Sequence, residues 1–497
     1  MPGFHIEHFG CRAARADGEA IGGRLRAAGL AEGEASTADV VVVNTCSVTA
    51  EADRSARAFI RRAHRQNPRT KIVVTGCYAQ RAPEELAGLA GVAVVVGNSH
   101  KALAPEIIFD LTRAEHESAS LSPALVPIEA LLAGSKAASA EVWVDDRFAH
   151  SMIEEAQPAP GAQTRPNLKI QEGCGNRCTF CVIPWTRGPS KSLPAASVLR
   201  QVEGFTAAGG KELVLSGINL GRWGRDFSGL ERDTLGGLVR EILECTPLPR
   251  LRLSSIEPMD WDDELIGLMR DFGGSRLARH THLPLQSGSD AVLRRMHRRY
   301  RPWHYAEKVA ALLRAAGPDL TLGADLMVGF PGETDREFEE TLAFIRALPF
   351  GYLHLFPFSP RPGTRAWALH AESPVPQAAI AERLTALRAL VAEKTCTHRT
   401  RLIDSDLSAI TLHTPETLAV QGRTAALTEN FIPVELDGRL PANQLVRVRV
   451  TRLKAEGALE GSAEMEIPDQ YGATAISVWA KSVPLKRSSS PDSLAKA

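Results

Sequence analysis

The chain has 497 residues, 44% of them hydrophobic and 23% charged, a length of about three ordinary domains and a composition that excludes a wholly disordered or fibrous protein. Lys plus Arg and Asp plus Glu number 58 each, so the formal net charge is zero and no whole-molecule field draws in a polyanion; a nucleic-acid site has to be a local patch. No apolar run approaches the roughly 18 residues of a membrane span, and MPGFHIEHFGCRAARADGEA lacks the apolar core of a signal peptide, so the expected compartment is the cytoplasm, with no membrane partner.

From His5 to about Thr112, short β-branched runs alternate with helical stretches: FHIEHFG, EAIGGRLRAAGL, VVVVN, RSARAFIRRAHRQ, KIVVTG, APEELAGLA and VAVVVG. This predicts a flavodoxin-like parallel sheet over residues 1–112, in the α/β class. Residues 113–165 lose periodicity and gain Ala, Ser and Pro, which suggests a linker or insertion, with one strand in AEVWVDD. A second alternation over 166–400 offers six or so strand–helix units, from LKIQEG to YLHLFPFS, closed by the helical ERLTALRALVAEK. That number suits a full or partial parallel barrel. Over 401–465 the texture turns β-rich with Gly and Asn turns, predicting a small barrel, and residues 466–497 read as a disordered tail. No fixed-period repeat, Walker A sequence or dinucleotide-type glycine fingerprint is present.

The chemistry therefore rests on the eight cysteines, which in a reducing compartment are more often ligands or catalytic than disulfide-bonded when they cluster. Cys174, Cys178 and Cys181 lie in IQEGCGNRCTFCVIPWTRG, where a strand runs into a loop. Zinc normally takes a fourth local Cys or His, and none follows within a dozen residues. Three thiolates on an iron–sulfur cluster, by contrast, leave one iron open to an outside ligand. A zinc site completed by a distant residue, or three core cysteines, is the alternative. Cys11, Cys46 and Cys77 each follow a predicted strand, in HFGC, VVVNTC and VVTGC. Parallel strands bring their C-terminal ends to one rim, so three thiols converge there, although a single strand-end Cys is more often a buried hydrophobe. Cys245 and Cys396 read as structural.

The C-x3-C-x2-C spacing with Phe180 before the last Cys resembles the radical S-adenosylmethionine (SAM) signature. The two three-cysteine sets together resemble the methylthiotransferases, through GC at 10 and 11, NTCSVTAEADR, TGCYAQR, EGCGNRCTFCVIPWTRGPSKS, LSSIEP, HLPLQSGSDAVLRRM, GADLMVGFPGET and FPFSPRPGT. The resemblance implies two 4Fe-4S clusters, one on Cys11, Cys46 and Cys77 and one on Cys174, Cys178 and Cys181. It also implies SAM as cofactor and methylthio transfer to an unactivated C–H position. NTCSVTAEADRSARAFIRRA resembles the members that act on C2 of N6-threonylcarbamoyladenosine just 3′ of the tRNA anticodon, position 37. Isopentenyladenosine at that position, a ribosomal protein, and a non-enzymatic tRNA-binding metal protein are the other readings. The implied partners are the tRNA anticodon loop, a reducing electron donor and a sulfur donor. Ala14 stands where the family usually has Asn three residues after the first Cys.

The resemblance further sets Phe180, Ser216, Gly217, Gln286, Ser287 and Gly329 beside SAM, with Gly288 and Gly332 in the same runs. Glu257 suits a cationic ligand group, or is a solvated strand-end acid. Arg187 and Lys191 suit phosphate contact, or surface salt bridges. RRAHRQNPR and RRMHRRYRPWH suit tRNA phosphates, or are solvated helix faces. GRTAALTENFIPVEL resembles a TRAM domain, and Arg447, Arg449, Arg452 and Lys454 alternate beside it among acids that leave no strong excess.

Overall fold

The computed structural model describes residues 2–120, 140–148, 153, 164–228, 233–454 and 457–464. The expected tail over 466–497 and much of the expected linker lie outside them.

The first unit is a parallel sheet of β1 (Gly3–His8), β2 (Ala31–Glu32), β3 (Val40–Thr45), β4 (Lys71–Gly76), β5 (Val92–Gly97) and β6 (Glu141–Trp143), in the order β2-β1-β3-β4-β5-β6. Every residue of β3 is buried. A strand covered on both faces needs a continuous apolar run rather than alternation, and VVVV supplies it. Val41, Val43 and Val74 pack on one face with Phe59 and Ile60, and Val40, Val42 and Val73 on the other with Ile21 and Leu25. β6, from AEVWVDD, pairs in parallel with β5, so this part of 113–165 completes the first sheet.

The second unit carries β7 (Asn167–Glu172), β8 (Lys191–Ser192), β9 (Glu212–Gly217), β10 (Arg250–Leu253), β11 (His280–His282), β12 (Thr321–Val328) and β13 (Phe350–Pro357). β10-β9-β7 and β11-β12-β13 are parallel, and the bridge Leu251↔Leu277 links the two sets. Among the described residues no pairing joins β13 back to β7, so the six parallel strands form a partial barrel. Helices such as Ala195–Ala207 and Pro302–Ala316 bury Val198, Val202, Val309 and Leu312 in its core. The helix Gln377–Thr400 follows β13.

The third unit is a closed barrel of β14 (Asp406–Thr411), β15 (Arg423–Thr428), β16 (Pro433–Asp437), β17 (Leu445–Leu453) and β18 (Leu459–Glu464), in the order β14-β15-β16-β18-β17. In β17 buried Val446, Val448 and Val450 alternate with exposed Arg447 and Arg449, the period-2 pattern of a barrel wall. The α/β architecture with a terminal β-barrel is the one the sequence predicts.

Candidate active site

The thiols sit where parallel strands end. Cys46 follows β3 directly, and Cys77 follows β4 and opens the short helix Cys77–Arg81. Cys11 stands at the N-cap of the helix Arg12–Ala27. Burial, then the Cys77 and Cys11 thiols, push the Cys46 thiol up to about 12, so the three lie within electrostatic range of one another. Three free thiolates would repel in such a place, and a cationic metal group relieves that repulsion. Val48 N–H donates to Cys46 Sγ at 3.4 Å, and Asn98 Nδ2 to Cys77 Sγ at 3.5 Å.

Arg187 is neither a surface residue nor a free phosphate ligand. It is 1% exposed and donates from Nε to Cys77 Sγ at 3.2 Å. Its Nη1 meets Asp17 at 3.1 Å and Glu172 at 2.7 Å. Lys101 pairs with both carboxylates at 2.9 and 3.3 Å, and Lys169 also pairs with both. Three cations face two anions in this buried cluster, so one positive charge is left over beside Cys77. Burial opposes the charge on Arg187, yet the Cys77 thiol, Glu172 and Asp17 hold its pKa well above the ordinary value. The same cluster fastens the first unit to the second.

Cys174, Cys178 and Cys181 line a cavity of about 210 Å³. Cys174 is reached from the end of β7 through Gly173, whose φ of +68° and tight packing against Pro189 exclude a side chain. Asn176 N–H and Asn219 Nδ2 donate to Cys174 Sγ at 3.4 and 3.5 Å, and Arg298 Nη1 to Cys178 Sγ at 3.3 Å. Burial pushes the Cys181 thiol up to about 12. Among the described residues no fourth Cys or His lines the cavity. The donor set therefore fits a four-iron cluster with one iron free.

Phe180, Gly217, Glu257 and Gln286 line this same cavity. Gln286, in left-handed backbone at φ +64°, has its buried Oε1 without a partner, as does Asn219 Oδ1. Two orphaned acceptors suit the ammonium and hydroxyl donors of an adenosylmethionine. Glu257 is bound by Arg298 Nη2 at 2.7 Å, so it is a paired carboxylate rather than a solvated one. Ser216 lines the neighbouring cavity instead. Ser287 turns away, its Oγ 3.2 Å from Thr341 Oγ1. Gly329 is outside the lining too; its N–H binds Glu333 and a Cβ would strike Ile380.

The neighbouring cavity, about 350 Å³, is lined by Cys11, Arg12, His280, Tyr352, His354 and Phe431 among others. It shares Gly217, Ile218, Asn219, Ser255 and Asp325 with the first. The radical-set thiols and Cys11 thus open onto adjoining spaces, while Cys46 and Cys77 are buried behind Cys11's cavity.

Two sequence motifs do other work. In RRMHRRYRPWH, Arg294 and Arg301 pair with Asp290, Arg295 with Glu337, and Arg299 with Asp260, so the run is held largely in ion pairs within the fold. Arg447 and Arg449 pair with Asp406, while Arg452 and Lys454 pair with Glu460 and Glu435, which makes their strand an ordinary charged face. Arg61, Arg65 and Arg69 are exposed. Cys245 and Cys396 are exposed helix residues, not core packing. Ala14 is buried, and its carbonyl accepts from Asn44 Nδ2.

Two family models match the chain: "Uncharacterized protein family UPF0004" over residues 3–97 and the radical SAM superfamily over 168–345. A threonylcarbamoyladenosine tRNA methylthiotransferase of Bacillus subtilis is 39% identical over 73% of this chain and 74% of its own length. That of Thermotoga maritima is 31% identical over 94% and 98%. The chain belongs to the radical-SAM tRNA methylthiotransferases. A tRNA-2-methylthio-N(6)-dimethylallyladenosine synthase of Erythrobacter litoralis is 35% identical over 78% and 81%, so the family spans two nucleosides. A solved radical SAM methyltransferase, TsrM of Kitasatospora setae, shares the fold at a TM-score of 0.53 and 16% identity, covering 75% of this chain and 78% of that one. Membership implies an enzyme with a 4Fe-4S cluster and SAM. Among the described residues no helix is long and apolar enough to cross a membrane.

Proposed function

We propose that the chain methylthiolates C2 of N6-threonylcarbamoyladenosine at tRNA position 37, with Cys174, Cys178 and Cys181 holding the SAM-binding cluster and Cys11, Cys46 and Cys77 a second cluster that carries the sulfur. The observation that carries this reading is the shared wall of the two cavities. A base seated in the larger one stands between Cys11 and the cavity of the other thiol set. When bound, the clusters and SAM supply a 5′-deoxyadenosyl radical for hydrogen abstraction and a sulfur for transfer.

The protein's part is to hold and shield. Arg298 and Asn219 donate to thiolates of the radical set, and Arg187 and Asn98 to Cys77; such bonds favour the deprotonated, ligating form. Gln286 and Glu257 offer acceptors to SAM in a cavity walled by Phe180. The polar lining of the larger cavity supports the threonylcarbamoyl reading over the isopentenyl one: Tyr352 Oη orients His280 and His282 at 2.8 and 3.0 Å, and His280 Nδ1 is buried without a partner. An apolar substituent would leave His280 Nδ1 without a partner. The barrel that follows is the element suited to RNA. Turnover further needs a one-electron reductant and a sulfur source, in the cytoplasm where tRNA is modified.

The test is anaerobic reaction of the reconstituted protein with SAM, reductant and tRNA carrying threonylcarbamoyladenosine, followed by mass spectrometry of the nucleosides. The 2-methylthio product is expected. Product only from isopentenyladenosine tRNA, or only on a ribosomal protein, overturns the substrate; zinc without labile sulfide overturns the cluster assignment.

A further inference from the structure

The larger cavity holds a cation that the fold does not neutralise. Its wall includes Phe431, delivered by the turn between β15 and β16 in left-handed backbone at φ +67°. An aromatic residue rarely adopts that conformation unless its surroundings impose it. Here they do: Phe431 N–H donates to Thr428 O at 3.0 Å, Asn430 Nδ2 to Asp319 O at 3.2 Å, and Arg252 Nη2 to Thr428 O at 3.2 Å. The ring is thereby fixed against the second unit, 4.5 Å from His280 between centroids. Three guanidiniums surround it, Arg12 at 5.6 Å, Arg165 at 6.0 Å and Arg252 at 5.4 Å.

The anions nearby are already engaged. Glu212 takes Arg252 at 2.7 Å, Arg250 at 3.3 Å and Arg165 at 3.7 Å, and Glu429 takes Arg279. Asp325 lies 3.1 Å from His282. Burial, then Arg252, His282, Arg12 and Arg165, depress the pKa of His280 well below the usual imidazole value, as expected in a positive field. Among the described residues Arg12 has no carboxylate in ion-pairing range, and it lies half-buried on the cavity wall. A half-buried guanidinium with free donors on a cavity wall calls for an anion.

We propose that Arg12 is the specificity residue for the N6 substituent, receiving the threonyl carboxylate of the substrate adenosine by a charge-assisted, two-pronged hydrogen bond. This rests on the threonylcarbamoyladenosine reading above and adds the group that enforces it. Arg12 follows Cys11 directly, so the residue that binds the substituent is fixed to the backbone of one proposed sulfur-carrying cluster ligand. An isopentenyl group carries no anion and leaves the guanidinium desolvated without a partner, which rejects that substrate.

The test measures binding and methylthiolation of anticodon stem-loop RNA by the reconstituted full chain. Three RNAs are used: one with threonylcarbamoyladenosine, one with its carboxylate converted to the primary amide, and one with isopentenyladenosine. The wild type is expected to lose roughly ten- to hundredfold in affinity on the amide. Arg12→Gln is expected to lose a similar factor on the acid and nothing further on the amide, whereas Arg12→Lys retains part of the preference for the acid. A wild type that methylthiolates acid and amide equally well, or an Arg12→Gln protein that still prefers the acid, overturns the Arg12 assignment and leaves the substrate reading standing. A wild type that acts on the isopentenyl RNA and on neither of the others overturns both. The wild-type comparison of acid and amide needs no variant to fold.

Discussion

Arg187 Nε lies 3.2 Å from Cys77 Sγ, across 110 residues of chain, and the same guanidinium closes a buried cluster with Asp17 and Glu172. One side chain thus ties the barrel unit to a thiol of the first sheet. Arg187→Met removes the donor and one of three cations from that cluster. Lys101 and Lys169 still balance the two carboxylates, so the expected cost, from the buried hydrogen bonds lost at Glu172, Asp17 and Cys77, is about 1–3 kcal/mol. Iron and labile sulfide per chain after reconstitution should fall by about half, the Cys77 site being the one lost. Arg187→Lys should recover stability in part, since it keeps the charge but not the Nε–H. Full iron loading and an unchanged melting temperature in Arg187→Met would refute this role.

The two thiol sets should separate by readout. Cys174→Ala is expected to abolish formation of 5′-deoxyadenosine. Cys46→Ala should retain that formation and give no methylthio product. Chromatography of both products from the same reaction decides it, and undiminished methylthiolation by Cys46→Ala would sink the sulfur-carrying assignment.

Three glycines directly before cysteines, Gly10, Gly76 and Gly173, carry backbone that L-residues avoid, and two of them also abut backbone. Gly76 has φ +98° and Gly173 φ +68°; a Cβ on the first would press into Thr45 backbone and on the second into the Pro189 carbonyl. Gly76→Ala and Gly173→Ala should each cost at least about 2 kcal/mol. The damage should also be local, so that Gly173→Ala lowers SAM cleavage more than Gly76→Ala does. Equal cleavage rates in the two variants would count against separate sites.

His398, on the helix Gln377–Thr400, is buried with Nε2 2.8 Å from Thr321 Oγ1 of β12. Burial, then Arg401 and Arg399, lower its pKa from 6.5 to about 4. The folded state therefore binds this proton more weakly than the unfolded chain, so its contribution to stability is whole above about pH 6.5 and lost as pH falls toward 4. The melting temperature of the wild type should fall more steeply across that window than that of His398→Gln. Parallel pH profiles would show that His398 is not the group responsible.

The parallel sheet, the partial barrel and the terminal barrel were legible because each rests on a local pattern. VVVVN, short and β-branched, reads as a strand covered on both faces, and the alternation in LVRVRVTRL is that of a barrel wall. The rim placement of Cys46, Cys77 and Cys174 was legible for the same reason, since a Cys just beyond a parallel strand has its place set by the strand before it. Arg187 was not. TRG in sequence gives no sign of burial, and the reading as a phosphate or surface arginine failed because Asp17 and Lys101 come from the first unit, far along the chain. The contacts of Ser287 and Gly329 were equally hidden: both lie in the expected runs, where Ser287 is bound to Thr341 and Gly329 leaves space for Ile380.

What the sequence determined by itself was the inventory and the order: three units, two sets of three thiols, and the strand ends that carry them. Hydrophobic period and residue spacing encode these within a dozen residues. The tertiary structure alone decided what each thiol is bonded to and what lies between the sets. Asn98 and Arg187 reach Cys77, Arg298 reaches Cys178, and Phe431 of the last barrel enters a cavity beside Cys11. Such contacts form only when whole units dock, and docking selects partners by burial and charge neutralisation, which no local pattern records.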